Sequence, residues 1–163
     1  MKTIGIDLGL SKSSFGSVWE QGDKMISICS AESLEELFIK VNEWEQGSLV
    51  VVEKPFLGRN VKFHSDFSVA IGRLQQFCYE NGYKFYSVPA QTWQTQLLGV
   101  KARMGTDKRK IASFNTAYGL TISPLLKQLP CKKRKTNEID IKSSAFDLAD
   151  AICIGYWGLR NVK

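Results

Sequence analysis

The chain has 163 residues, 44% of them hydrophobic, with 22 Lys and Arg against 16 Asp and Glu for a net charge of +6. This composition excludes general disorder, and the length is enough to bury a core as one domain, residues 1–163. No apolar run reaches the roughly 18 residues a membrane helix needs, and "MKTIGIDLGL" reads as a first strand rather than a signal peptide, so a cytoplasmic protein free of the membrane is expected.

"TIGIDLG" is a short apolar run ending in a turn, which predicts a strand. "SFGSVWE" and "KMISICS" alternate apolar and polar residues, and the short loops "LSKS" and "QGD" join the three runs into an antiparallel meander. "SAESLEELFIKVNEW" opens with a serine and acids, then sets Leu34, Leu37, Phe38 and Val41 at helical spacing. "SLVVVEKP" is a continuous apolar run stopped by Pro55, as expected of a central strand covered on both faces. "FHSDFSVAIGRLQQFCYENGY" predicts a long helix ending near Asn81-Gly82, and "KFYSVP" a further strand. "AQTWQTQLLG" and "TDKRKIASFNTAYGL" read as two more helices. Residues 121–142 read as loop, and "SSAFDLADAICIGYWGL" (143–159) as a final, nearly all-apolar helix. The whole is an α/β fold with a mixed five-stranded sheet flanked by helices.

Four acids stand in or beside runs that should be core: Asp7 and Glu53 at the ends of the first and fourth strands, and Asp147 and Asp150 on the last helix. Taken singly they have plain explanations. Asp7 before Gly9 suits a turn, Glu53 an exposed strand end, and Asp147 a capping box with Ser144. Asp150 in its apolar segment has none. If the first and fourth strands are neighbours and the last helix crosses their edge, all four carboxylates meet. Like charges at about 4 Å cost roughly 4 kcal/mol per pair at an effective dielectric of 20, so a counter-charge is required. Oxygen donors with no histidine or thiolate among them select magnesium, with manganese as a substitute. Two such ions can clamp the attacking and leaving oxygens of a phosphodiester. The four cysteines, Cys29, Cys78, Cys131 and Cys153, are too scattered for a zinc or disulfide framework.

The positive charge is concentrated. Residues 101–135 hold ten bases and one acid, a local +9 that leaves −3 for the rest, and such asymmetry favours a polyanionic partner. Lys101, Arg103, Lys108, Arg109 and Lys110 are candidate phosphate contacts. Arg59 and Lys62, just after the Glu53 strand, are two more, and Phe56 is either a wedge against an unpaired base or ordinary core.

"IGIDLG", "VVVEKPF" and "FDLADAICIGYW", in that order through almost the whole chain, resemble the RuvC family of Holliday-junction resolvases, in a compact form similar to the bacteriophage branch. The resemblance implies an RNase H-like fold and a catalytic and metal-binding tetrad at Asp7, Glu53, Asp147 and Asp150. It further implies two magnesium ions per site, no nucleotide cofactor, a homodimer, and nicking of branched DNA, chiefly four-way junctions. A phage-encoded member would act in the cytoplasm of a bacterial host. The bacterial members usually carry a lysine where this chain reads "QTWQTQ". The long helix would supply the dimer interface through Phe67, Ile71, Leu74 and Phe77, unless those residues are intrachain core. Two other readings stay open: a non-catalytic structure-specific DNA-binding module whose acids are fold-stabilising metal ligands, and a nuclease of the same fold acting on RNA–DNA hybrids.

Overall fold

The computed structural model describes residues 1–10, 13–54, 61–100, 105–121, 131–133, 139–141 and 143–163, with 131–133, 139–141 and 143–144 described by backbone alone. Strands β1 (Thr3–Asp7), β2 (Ser14–Glu20) and β3 (Lys24–Ala31) form the antiparallel meander. Its second turn places Gly22 and Asp23 at φ of 87° and 60°, the left-handed pair that matches the twist of a tight hairpin. Helix α1 (Leu34–Asn42) starts where Ser33 accepts the Glu36 backbone N–H at 3.1 Å, while the Glu36 carboxylate accepts the Glu32 N–H at 2.7 Å.

β4 (Leu49–Lys54) then runs parallel to β1, and after helix α2 (Val61–Glu80) β5 (Lys84–Pro89) runs parallel to β4. The chain continues through α3 (Ala90–Leu98), ended by the left-handed Gly99, then α4 (Thr106–Leu120) and α5 (Ser143–Asn161). The sheet order is β3-β2-β1-β4-β5. Between α4 and α5, Cys131–Lys133 (β6) pairs antiparallel with Ile139–Ile141 (β7), where the sequence predicts loop. At three residues each, these strands are too short for alternation to stand out from the basic residues around them. Among the described residues no helix is long and apolar enough to cross a membrane.

Side-chain alternation along the strands divides the interior in two. Ile4, Ile6, Val50 and Val52 face α1 and α2. Leu49 and Val51 face the other way and pack with Trp93, Phe114, Ala149, Ile152 and Trp157 from α3, α4 and α5. The apolar stripe of α2 belongs to the first of these cores. Ile71 and Leu74 are buried, Phe67 packs beside them, and Phe77 stacks on Phe38 with centroids 4.6 Å apart. Ile71 and Leu74 therefore serve intrachain packing, and Phe67 and Phe77 join them while remaining partly exposed.

The second core depends on a backbone-to-backbone approach. A Cβ on Gly5 would stand 2.1 Å from the Gly155 nitrogen and 2.4 Å from the Ala151 carbonyl oxygen. One on Gly155 would stand 2.6 Å from both the Ser17 hydroxyl and the Trp19 ring. Ser17 Oγ donates to the Ala151 carbonyl at 2.8 Å and accepts the Trp19 indole N–H at 3.1 Å, so the polar groups in this tight crossing are satisfied. Gly155→Ala should lower the unfolding free energy by about 2–3 kcal/mol, as overpacking against backbone does. Gly119→Ala, in open space on α4, should raise it by about 0.5 kcal/mol. Urea denaturation of the two variants measures both effects.

Candidate active site

The parallel pairing of β1 with β4 sets Ile6 opposite Val52, so Asp7 and Glu53 follow at the same end of adjacent strands. By alternation Asp7 lies on the face of Gly5, and Glu53 on the face of Val51, which is the α5 side of the sheet. Helix α5 crosses that face antiparallel to β1: Gly158 lies against Thr3 and Val51, and Gly155 and Ala151 lie against Gly5. One further turn toward its N-terminus brings Asp150 and Asp147 to the corner where β1 and β4 end. Asp7 and Glu53 thus end adjacent strands at one edge of the sheet, and Asp150 of α5 shares a cleft with Glu53.

Their surroundings differ. Glu53 and Asp150 line a common cleft of about 550 Å³, together with Gln91, Gln94 and Thr95 of α3, Thr106, Arg109 and Lys110 of α4, and Ala90 and Val100. Asp7 is half-buried and Asp147 is buried at 7% exposure, and neither lines the cleft. Burial pushes the Glu53 carboxyl up to about 7. The Trp93 indole N–H, which donates to its Oε2 at 2.9 Å, opposes that rise; the negative charge of Asp150 adds to it, and Arg109 opposes it. Asp150 accepts a short hydrogen bond from the hydroxyl of Ser113, a buried residue of α4.

The cleft has a positive wall. Arg109 and Lys110 are half-buried; the Lys110 ammonium sits 5.6 Å from the centroid of the Phe146 ring, and the Arg109 Nε is enclosed with no hydrogen-bond partner among the described residues. Lys62 and Lys108 are exposed, on α2 and α4. Phe56, Arg59, Lys101 and Arg103 lie outside the described residues.

The donor chemistry here suits a hard divalent cation. Two carboxylates repel one another across a partly dry cleft, with neither histidine nor thiolate in its lining. The geometry presents a pair. Among the described residues no group of three or more His, Cys, Asp or Glu is arranged to hold a metal ion.

Two groups that matter here escape a reading of the sequence for chemistry, Trp93 and Ser113. A buried indole N–H needs an acceptor, and a serine on the apolar face of a helix needs a partner, so both signals were present. Which acceptor each would find depends on the packing of α3 and α4 against β4 and α5.

No family model matches the chain, and no match is found among curated proteins. Solved structures are similar to it over nearly its whole length. The Thermus thermophilus RuvC structure aligns with a TM-score of 0.64 at 16% identity, covering 96% of this chain and 92% of that one. T. thermophilus RuvC in complex with Holliday junction substrate aligns at 0.66 and 17%, covering 96% and 91%. The likeness is one of fold, the RNase H-like α/β architecture with a mixed five-stranded sheet flanked by helices, as the sequence resemblance implies.

The Glu53 environment has a consequence for stability. Between its ordinary value of 4.5 and about 7, the folded protein holds a proton that the unfolded chain has released. Stability therefore falls as pH rises through that window, and above it the buried charge costs on the order of 2 kcal/mol, allowing for partial exposure. In the presence of a chelator, Glu53→Gln, which keeps an acceptor for Trp93, should match the wild type near pH 4.5. At pH 8 it should be more stable by about that amount, as urea denaturation at the two pH values will show.

Proposed function

We propose that this chain is a divalent-metal-dependent endonuclease of the RuvC type that nicks branched DNA, chiefly four-way junctions. It would act as a homodimer of single nuclease domains, in the manner of a phage enzyme working in the cytoplasm of a bacterial host. The observation that carries the reading is the cleft itself. On a RuvC-like fold, carboxylates from the end of β4 and the N-terminal half of α5 line a space about 550 Å³ in volume together with cationic groups of α4. A phosphodiester fits both halves, with its charge against the bases and its reacting atoms toward the acids. That one of the similar structures holds a Holliday junction supports a branched substrate.

Glu53 and Asp150, joined by Asp7 and Asp147 from the same sheet corner, would hold magnesium, two ions per site with manganese as a substitute. Bound metal supplies the Lewis acidity that in-line hydrolysis requires. The chain's own groups do the rest. Trp93 and Ser113 fix the rotamers of Glu53 and Asp150 through hydrogen bonds. Arg109 and Lys110, which line the cleft, bind the phosphates flanking the scissile bond. Lys108 and Lys62 extend the positive surface to more distant phosphates, and Lys101, Arg103, Arg59 and Phe56 are proposed to join them. No serine or cysteine is needed as a nucleophile. Two equivalent sites, one per protomer, would cut the two strands of a symmetric junction. With Ile71 and Leu74 committed to the core and Phe67 and Phe77 packed against it, the dimer face of α2 is proposed to be its outward side, where Val69 and Tyr79 are 61% and 83% exposed.

Wild-type protein with magnesium or manganese should nick a four-way junction more readily than linear duplex. Asp150→Asn should reduce nicking to the level of a protein-free control while junction binding in calcium persists. A wild type that binds branched DNA and never nicks it would make the chain a binding module, and preferential cutting of an RNA–DNA hybrid would make it the other nuclease. Lys108→Ala and Arg109→Ala should each flatten the log–log salt dependence of junction binding by about one unit, the signature of one lost phosphate contact. Val69→Glu with Tyr79→Glu should yield monomers in sedimentation velocity runs.

A further inference from the structure

Each carboxylate of the cleft has one oxygen engaged by a buried, uncharged donor. The Trp93 indole N–H donates to the Glu53 Oε2 at 2.9 Å, and the Ser113 hydroxyl donates to the Asp150 Oδ1. Trp93 is 0% exposed and Ser113 1%. Among the described residues no donor meets the other Glu53 oxygen, Oε1.

The indole is anchored where it stands. Helix α3, "AQTWQTQLL", has neither acid nor base, so packing and neutral hydrogen bonds hold it. The Trp93 ring belongs to the core of Leu49, Val51 and Trp157, and the Gln96 Oε1 of the same helix accepts the Trp157 indole N–H at 2.7 Å. An indole has one donor and no acceptor. Turning away from Glu53 would strand that N–H among apolar side chains at the full cost of its desolvation.

Cations differ in how they take a carboxylate. Magnesium holds a tight octahedron and keeps several of its waters, so one oxygen per carboxylate suffices. Calcium collects roughly six to eight oxygens in a looser shell and often takes both from one carboxylate. An oxygen that accepts an indole N–H has given part of its donor capacity to a neighbour, which leaves Oε1 as the better ligand atom of Glu53. We propose that Trp93 is a positioning residue that restricts Glu53 to a single metal-binding oxygen and thereby tilts the cleft toward magnesium or manganese and away from calcium. The proposal rests on the nuclease reading above and deepens it, because it assigns the cation preference to a side chain that touches no cation.

The test is cation competition on the full chain without DNA. Manganese released by added magnesium or calcium is read from the electron paramagnetic resonance signal of the free ion. For wild type, magnesium should displace manganese at a lower concentration than calcium does. Trp93→Phe keeps a ring in the core and removes the donor. It should move the ratio of the two displacing concentrations about tenfold toward calcium, the scale on which a lost hydrogen bond to a metal ligand acts. Leu97→Ala loosens the packing of α3 and leaves the donor in place, so its ratio should match wild type. A folded Trp93→Phe with weaker manganese binding and an unmoved ratio would overturn the proposal, as would an equal shift in Leu97→Ala. Should Trp93→Phe fail to fold, wild type still decides: calcium that displaces manganese as readily as magnesium would overturn the proposal too. A wild type that neither binds manganese nor nicks a junction would overturn the nuclease reading itself, a result distinct from an unmoved ratio.

Discussion

The architecture turns on two glycines. Gly5 in the central strand and Gly155 in the last helix leave no side chain between β1 and α5, so the helix backbone lies directly on the sheet. Ser17 and Trp19 of the neighbouring strand close the contact with hydrogen bonds to that backbone and to each other. This approach brings the N-terminal half of α5, with Asp147 and Asp150, down to the edge where β1 and β4 terminate. Were the helix a side chain's width farther out, its acids would stand over open solvent. The apolar face of α5, with Ala149, Ile152, Ile154 and Trp157 all buried, supplies the hydrophobic free energy that offsets the confinement of those carboxylates.

Electrostatics then divide the molecule into two regimes. The ion pairs Lys2–Glu45, Arg73–Glu35 and Arg160–Asp23 lie in solvent-accessible positions, where such pairs contribute little. In the cleft, charges of both signs meet under partial burial. Glu53 feels the pull of Arg109 and the push of Asp150 at once, and it sits near the midpoint of its titration at neutral pH. A carboxylate poised there is receptive to a cation and costly without one, which is the physical basis for reading the corner as a place where chemistry happens.

Helices α3 and α4 are attached to the acids through hydrogen bonds as well as through apolar packing. Trp93 joins α3 to Glu53, and Ser113 joins α4 to Asp150. The helices that would touch a substrate are therefore the same ones that orient the carboxylates. Arg109 and Gln94 line the same cleft as Glu53 and Asp150, so a substrate docked there would meet the groups that place the carboxylates.

Much of this was legible in advance. Alternation and apolar runs place all five strands of the main sheet, because a buried or half-buried strand has to show its burial in its pattern. The same patterns place all five helices, and the acids at 7, 53, 147 and 150 stand out because ionisable groups do not belong in such runs. Periodicity says that a helix has an apolar face and is silent on what covers it. Phe67, Ile71, Leu74 and Phe77 could be assigned to the intrachain core only once α2 was seen against β4 and Phe38. The small strands β6 and β7 have too few residues to carry a pattern. The composition and local spacing of this chain determined the five strands of its main sheet, its helices, its fold class and its anomalous acids, because those follow from short-range sterics and from burial. Only the tertiary structure decided that Glu53 and Asp150 share a cleft with Arg109, that an indole and a serine hold them, and that a neutral face of α3 looks across at them. Those facts depend on how close two backbones can come, and that distance is set between residues far apart along the chain.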